Sequence, residues 1–231
     1  MLFMPLGYWL FALPGLILAG IATMVTKSTF ARYARVAASS GFTGARAAEQ
    51  MLASQGIYDV RIEPVRGFLS DHYDPMHRTL RLSPDVYGSR SLSAIGVACH
   101  EAGHALQHAA GYGPLAIRSA LVPIANFGSK SAYFFLMLGL LFQAPALVQV
   151  GAIVFLGAVA FSLVTLPVEW NASARAKVLM VQSGVVSARE AQDAGRVLNA
   201  AFMTYVASAI TALLTLLYYL LRSGLLGGSR D

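Results

Sequence analysis

Long apolar runs alternate with short polar stretches along this chain. Four of the runs carry little or no charge and are each long enough to cross a bilayer core of about 30 Å as a helix. They cover residues 4–25, 115–142, 146–166 and 198–221. Only Gln143-Ala144-Pro145 separates the second run from the third, which predicts an antiparallel hairpin of two spans. No charge precedes Lys27, so we interpret the first run as a retained span rather than a cleaved secretory signal.

The polar stretch between the first two runs, residues 26–114, has a different pattern. Some of its segments have apolar positions at helical spacing and others alternate apolar with polar positions. The predicted helices are 28–38, 45–55 and 91–110, and the predicted strands are 60–65 and 79–83, with a turn at Asp74-Pro75. The stretch therefore predicts a small α+β unit in water. Its strand 79–83 is either an edge strand that holds an extended substrate or half of an ordinary packing hairpin.

A second polar stretch, residues 167–197, lies between the third and fourth runs. It starts a helix that carries Glu169, and Ser187 with Glu190 predicts a capping box for the helix that continues into the fourth run. Because both ends of a hairpin emerge on one side, Glu169 returns to the side of the first polar stretch. The whole pattern predicts a mainly α membrane protein, with about four transmembrane helices and one small α+β unit.

The composition supports a membrane protein. Hydrophobic residues make up 56% of the 231 residues and charged residues only 12%, and the mean hydropathy is +0.59. These values exclude an ordinary soluble protein and make the lipid bilayer a predicted partner. The net charge is +6, but no block of Lys and Arg with interleaved aromatic residues occurs, so we expect no nucleic-acid partner.

Basic residues flank the predicted spans unevenly. They cluster directly after the first run and again between the third and fourth, at Lys27, Arg32, Arg35, Arg46, Arg175, Lys177, Arg189 and Arg196. The excess of Lys and Arg in cytoplasmic loops predicts that both polar stretches face the cytoplasm, with the protein in the plasma (inner) membrane. Arg222 and Arg230, after the fourth run, favour the opposite orientation.

Candidate chemistry lies in the last predicted helix of the first polar stretch, which contains His100-Glu101-Ala102-Gly103-His104. Residues four apart on a helix differ by about 40° in direction, so both imidazoles can reach one metal ion. Glu101 lies beside them, where its carboxylate can hold and deprotonate a metal-bound water. This is the HExxH arrangement of zinc hydrolases. The alternative is a chance pair of surface histidines.

The helix around this motif has the features that a rigid site needs. Apolar or small residues recur at spacings of three and four on the face away from the histidines: Leu92, Ile95, Cys99, Ala102, Leu106 and Ala109. Ser89 or Ser91 is a candidate N-cap, and Gly111 is a candidate C-terminal stop. Cys99 is the only cysteine, so an intrachain disulfide is excluded. We interpret Cys99 as a packing residue rather than a ligand.

The motif, the two apolar segments after it, and Glu169 with Ala172 and Arg175 resemble the membrane-bound neutral zinc metallopeptidases of the YugP type. A more distant similarity links the chain to the HtpX and CAAX-protease group, in which HExxH is followed by E-x-x-x-D. The resemblance implies a zincin-like unit with His100, His104 and Glu169 as zinc ligands and Glu101 as the catalytic base. This chain has Ser173 where the aspartate would fall, so a carboxylate that could orient a histidine ligand is missing.

The position of each candidate residue also indicates which of them can be the third zinc ligand. Catalytic zinc normally takes three protein ligands. His108 lies eight residues after His100, a rise of about 12 Å, which excludes it on a continuous helix. His72 and His77 in the loop before strand 79–83, Cys99 and Glu169 remain. We favour Glu169, and the alternative is that Glu169 only interacts with the dipole at the start of its helix.

The predicted function is therefore a zinc metalloendopeptidase that uses one catalytic Zn²⁺ to cleave polypeptides, including membrane proteins. Two other classes stay open. A membrane metal-binding or transport protein would use Asn126 and Lys130, which lie within the second apolar run. A scaffold without activity would keep the motif but not the chemistry.

Overall fold

The computed structural model describes residues 6–67 and 70–226. Residues 4 and 5 of the first predicted span, and Arg230, lie outside this part of the chain. The described residues form seven helices and three strands. In chain order these are α1 (Leu6–Tyr33), α2 (Gly44–Ser54), β1 (Arg61–Pro64), β2 (His72–Asp74), β3 (Thr79–Leu82), α3 (Pro84–Tyr87), α4 (Leu92–Ala109), α5 (Gly113–Leu141), α6 (Pro145–Gln182) and α7 (Ala188–Arg222).

Four of the helices are long and apolar enough to cross a membrane. They are α1 from Gly7, α5, α6 and α7, with 27, 29, 38 and 35 residues respectively. This agrees with the number of spans expected from the apolar runs. Three of them, α1, α6 and α7, continue beyond their apolar runs into polar sequence, because polar side chains do not interrupt the backbone hydrogen bonds of a helix.

The α1 helix corrects one expectation. Residues 28–38 were expected to form a separate short helix, but α1 runs without interruption from the apolar run to Tyr33. The sequence from Met24 to Tyr33 contains no glycine or proline, so the change from apolar to polar composition does not end the helix. The helix α6 also continues beyond its apolar run, here through Pro167, and Glu169 lies in the helix interior. The alternative in which Glu169 interacts with a helix N-terminus is therefore wrong.

The chain divides into two compact units. The span unit consists of residues 6–22, 117–166 and 204–226 among those described. Its buried cluster combines small and aromatic residues: Ala132, Leu136, Val148, Ala152, Tyr218 and Tyr219. Glycines allow close helix contacts in this unit, as at Gly15, where an added Cβ would lie 2.6 Å from the Thr211 hydroxyl oxygen. Small residues at helix contacts are typical of membrane bundles, in which close backbone approach replaces the hydrophobic effect.

The site unit consists of residues 23–67, 70–116 and 167–203. Its core packs α2, the sheet and the C-terminal part of α6 against α4, with fully buried side chains from each: Met51, Leu80, Leu82, Leu92, Ile95 and Met180. The predicted helix 45–55 is confirmed as α2, and its N-cap Thr43 accepts a hydrogen bond from the Arg46 backbone N–H. The capping box is also confirmed, because the Glu190 carboxylate accepts hydrogen bonds from the Ser187 backbone N–H and hydroxyl.

The sheet differs from the expected pair of strands. Its order is β1-β3-β2, with β1 parallel to β3 and β2 antiparallel to β3. The strand β2 was not expected, because three residues are too few to show an alternating pattern. The Asp74 turn therefore joins β2 to β3, and its carboxylate accepts hydrogen bonds from the backbone N–H groups of Met76 and His77.

This topology decides between the two interpretations of strand 79–83. The strand is half of a packing hairpin, but its antiparallel partner is β2 and not 60–65, which runs parallel to it. It is not an edge strand, because β3 is hydrogen-bonded to a neighbour on each side and has no free edge in the described sheet. The expectation that Thr79–Leu82 binds an extended substrate by strand pairing is therefore wrong.

Candidate metal centre

The helix α4 carries the HExxH residues and is fixed at both ends. Ser91 is the N-cap and accepts a hydrogen bond of 3.2 Å from the Ala94 backbone N–H. Gly111, just beyond the C-terminus, has a φ of +61°, a conformation that favours glycine. Both ends confirm the expected caps. The helix is therefore continuous from Leu92 to Ala109, and His100 and His104 lie one turn apart on it.

More of the α4 surface is buried than the apolar stripe predicts. Leu92, Ile95, Cys99, Ala102 and Leu106 are buried as predicted, whereas Ala109 is exposed. The histidine side is covered as well, since Gly103, His104 and Gln107 are buried. The helix that covers this side is α6, whose residues from Val168 to Ala176 include the buried set Val168, Glu169, Ala172, Ser173 and Ala176.

The structure brings Glu169 to the two histidines. The Glu169 side chain is buried, and its Oε2 atom lies 3.1 Å from the His100 Nε2 atom and 3.6 Å from the His104 Nε2 atom. The two imidazole rings are nearly perpendicular, with centroids 4.9 Å apart and an interplanar angle of 82°. These residues are separated by 65 or more positions in the sequence. Only the packing of α6 against α4 places them together.

This donor set fits a zinc ion. One ligand atom from each of His100, His104 and Glu169 lies within 4.8 Å of the other two. Two atoms bound tetrahedrally to zinc at about 2.0–2.1 Å are about 3.3–3.4 Å apart, close to the observed histidine–carboxylate separations. Two imidazoles and one carboxylate are also the ligand types found in catalytic zinc sites, where the fourth position is left for water.

A glycine within the motif makes this approach of α6 possible. A Cβ atom added to Gly103 would lie 2.6 Å from the Ala172 carbonyl oxygen and 3.1 Å from its carbonyl carbon. Such distances are below van der Waals contact, so no other residue fits without movement of the α6 backbone. Ala172 lies one turn after Glu169 on the same helix. Gly103 therefore allows the Glu169 carboxylate to reach the histidines.

Hydrogen bonds with other side chains orient both histidines. The His100 Nδ1 atom lies 3.0 Å from the Ser173 hydroxyl oxygen, and the His104 Nδ1 atom lies 2.9 Å from the Gln107 Oε1 atom. Both contacts leave the Nε2 atoms to face Glu169. Ser173 thus contacts His100 from the position where an aspartate was noted as missing, so a hydroxyl is present there instead of a carboxylate.

The electrostatics of the cluster favour a cation. Burial alone lowers the pKa of the His104 imidazole, but the carboxylates of Glu169 and Glu101, with Gln107, outweigh burial and raise that pKa above its ordinary value. Glu101 is half-buried and, among the described residues, forms no hydrogen bond or ion pair with another side chain. Its carboxylate is therefore available to a water molecule or a substrate.

The other candidate ligands are not part of this group. His72 and His77 are exposed, and their Nδ1 atoms contact the Ser70 carbonyl oxygen and the Asp74 carboxylate respectively. The His108 Nδ1 atom lies 2.9 Å from the Tyr73 hydroxyl oxygen. Cys99 is fully buried in the core, and burial raises the pKa of its thiol to about 12. Its interpretation as a packing residue is confirmed.

Gln107 is the site residue that sequence reasoning missed. It is completely buried and contacts His104, three positions earlier on α4. The spacing itself was a usable signal, because side chains three apart on a helix are neighbours and can form a hydrogen bond.

The chain is similar to known zinc peptidases. Residues 8–224 match a family model described as "Putative neutral zinc metallopeptidase". The chain is 48% identical to a protein of Bacillus subtilis (strain 168) named "Putative membrane protease YugP". The matched segment of 200 residues covers 87% of this chain and 89% of that protein. No solved structure matches the chain.

Proposed function

The chain belongs to the neutral zinc metallopeptidase family, and we propose that it is a membrane-anchored endopeptidase with one catalytic zinc ion. In this proposal His100, His104 and Glu169 bind the ion and Glu101 is the general base. The observation that carries it is the convergence of the three donor atoms within 4.8 Å, with Glu101 on the same helix. A zinc ion held there supplies a Lewis acid, which polarises a carbonyl group and lowers the pKa of water to about 7.

The residues of the chain then have distinct roles in hydrolysis. Glu101 accepts the proton of the attacking water and later donates it to the leaving amine. Glu169 and the two histidines stay in place, since Ser173 and Gln107 hold the imidazoles and the interior of α6 holds the carboxylate. The fixed geometry lowers the reorganisation needed in the transition state.

The substrate in this proposal is a polypeptide, including membrane proteins. Four helices with the length and composition of membrane spans support a multi-pass protein, and the B. subtilis relative is named a membrane protease. The basic residues after the first span and between the third and fourth spans favour the cytoplasmic side of the plasma membrane for the site. At that location the site would meet polypeptides at the cytoplasmic surface of the membrane.

The alternative of a metal transport protein is less well supported. It would require Asn126 and Lys130 to contribute to a pathway, yet both side chains are exposed on the surface of the span unit. The family match is to peptidases. No observation on the described residues favours transport over hydrolysis.

The decisive experiment compares the purified wild-type protein with Glu101→Gln in detergent. Zinc content is measured by elemental analysis and hydrolysis with casein or a fluorescence-quenched peptide. We expect both proteins to bind zinc, and the variant to lose a factor of about 10² to 10⁴ in rate, as is typical when a general base is removed. Glu49→Gln is the matched control, because Glu49 is an exposed carboxylate on α2 that forms an ion pair with Arg46 on the same helix.

Two results would contradict the proposal in different ways. A wild-type rate in Glu101→Gln would remove Glu101 from the mechanism but leave the metal site intact. Zinc-loaded wild-type protein that cleaves none of a broad set of peptides would overturn the peptidase function itself.

A further inference from the structure

A buried amide connects the two helices that carry the metal-site residues. Gln107 on α4 is completely buried, and its side chain contacts three groups. Its Oε1 atom lies 2.9 Å from the His104 Nδ1 atom, and its Nε2 atom lies 2.8 Å from the Val168 carbonyl oxygen and 3.1 Å from the Asn171 Oδ1 atom. Every polar atom of this amide therefore has a partner, as burial requires.

The chemistry of these partners fixes which way the amide points. The two ends of a glutamine amide have nearly the same shape, so its orientation follows from its hydrogen bonds. The Val168 carbonyl oxygen can only accept a hydrogen bond, and therefore the Gln107 nitrogen must face it. The Gln107 oxygen then faces His104, and this oxygen can only accept.

Arg175 determines the same orientation independently. The Arg175 Nε atom lies 2.8 Å from the Asn171 Oδ1 atom, and a guanidinium group has only donors. Asn171 must therefore present its oxygen at that point, and the same oxygen accepts from the Gln107 nitrogen. Two obligate partners, a carbonyl and a guanidinium, thus lead to one arrangement of the amide.

The arrangement determines the state of the His104 ring. Because the Gln107 oxygen can only accept, the Nδ1 atom of His104 must carry a hydrogen. In the neutral ring the Nε2 atom is then the one with a free lone pair. That Nε2 atom is the one that faces the Glu169 carboxylate, at 3.6 Å.

We propose that Gln107 is a positioning residue that holds His104 in the tautomer able to bind metal through Nε2, with Arg175 and Asn171 holding Gln107 in turn. The inference rests on the proposed zinc site, which it deepens. His100 lacks an equivalent constraint, because the Ser173 hydroxyl can donate or accept and so fits either tautomer. Loss of Gln107 should therefore weaken zinc binding more than loss of the Ser173 hydroxyl.

The test measures zinc affinity of the full-length protein in detergent by competition with a chelator, together with thermal unfolding of the metal-free protein. Gln107→Leu removes the acceptor, whereas Gln107→Glu keeps an acceptor toward His104 but places oxygen against the Val168 carbonyl. We expect Gln107→Leu to weaken zinc binding by about 10- to 100-fold, the range for groups that orient metal ligands. Gln107→Glu should bind zinc more tightly than Gln107→Leu, even if its metal-free form unfolds at a lower temperature.

The controls separate positioning from general stability. Gln50→Leu makes the same chemical change in the site unit, where the Gln50 amide donates to the Ser183 carbonyl and forms no hydrogen bond with a histidine among the described residues. It should leave the zinc affinity unchanged, and Ser173→Ala should reduce the affinity by a smaller factor than Gln107→Leu. If Gln107→Leu fails to fold, Gln107→Met, which keeps the length of the side chain, is expected to show the same loss of affinity.

Three results would overturn the inference. The first is wild-type zinc affinity in the folded Gln107→Leu or Gln107→Met protein. The second is an order of affinities among the Gln107 variants that follows their thermal stability instead of the presence of an acceptor. The third, a wild-type protein that binds no zinc, would overturn the proposed metal site as well, and is thereby distinct from the first two.

Discussion

Gly103 offers the sharpest test of how the site is assembled. It lies between the two histidines on α4, where α6 approaches so closely that a Cβ atom would be 2.6 Å from the Ala172 carbonyl oxygen. The contacted atoms belong to the α6 backbone, which cannot rotate away as a flexible side chain would. The substitution Gly103→Ala therefore forces α6 to move.

The size of the effect follows from the distances. An ordinary contact begins at 3.4 Å, so the Ala172 carbonyl must recede by about 0.8 Å. Overpacking of this kind costs about 1–3 kcal/mol, and the higher helix propensity of alanine offsets about 0.8–1 kcal/mol of that cost. Metal–ligand distances tolerate only about 0.2 Å. Because Glu169 lies one turn from Ala172, we expect zinc binding to weaken by about 10- to 100-fold.

The assay uses thermal unfolding of the metal-free protein and zinc competition with a chelator. Gly195→Ala is the matched control, since Gly195 is a helical glycine in the site unit whose added Cβ would lie 3.5 Å from a Lys177 side-chain atom. The control should be as stable as the wild type or more stable, because it gains helix propensity without a clash. The two variants should differ by about 1–3 kcal/mol in the free energy of unfolding.

One result would refute this reasoning. If Gly103→Ala binds zinc with wild-type affinity and is stabilised as much as Gly195→Ala, the close approach of α6 is not what positions Glu169. A loss of stability without a loss of zinc affinity would show that the clash is real but is relieved away from Glu169.

Three further predictions address the ligands, the core and the topology. Glu169→Ala should lower zinc content and abolish hydrolysis while the protein still inserts into the membrane. The control variants Glu49→Ala, His72→Ala and His77→Ala should keep zinc. Loss of metal in either histidine variant, with zinc retained in Glu169→Ala, would show that the third ligand is not Glu169. Cys99 should resist maleimide at pH 8 in the native protein and react after denaturation, because its pKa of about 12 keeps the buried thiol protonated; rapid labelling of the folded protein would contradict its burial. Reporter fusions after Gly56 and after Ser183 should both indicate the cytoplasm, and fusions on opposite sides would contradict a shared site.

The sequence alone determined the features that depend on neighbours along the chain. The apolar runs predict membrane helices because a bilayer core requires about 20 apolar residues per span. The pair His100 and His104 predicts a metal site because helical geometry fixes the directions of residues four apart. The Ser91 N-cap and the Gly111 stop are also local, since each concerns hydrogen bonds or backbone angles within one turn of the helix end.

Helix ends and strand pairing were harder to predict from the sequence. The junction after the first apolar run shows a change in polarity, but the backbone continues as a helix to Tyr33 because polarity does not interrupt its hydrogen bonds. The parallel pairing of β1 with β3, and the short β2 on the other side of β3, depend on contacts between segments and left no periodic pattern to detect.

Only the tertiary structure decided how the site is completed. Sequence reasoning could name Glu169, but it could not determine that the interior of α6 would place the carboxylate 3.1 Å from His100. The role of Gly103 depends on the Ala172 backbone, and that of Gln107 on the Val168 carbonyl and Asn171, all more than 60 positions away. The local sequence fixes what each side chain can donate or accept, whereas the packing of α4 against α6 decides which of these groups meet.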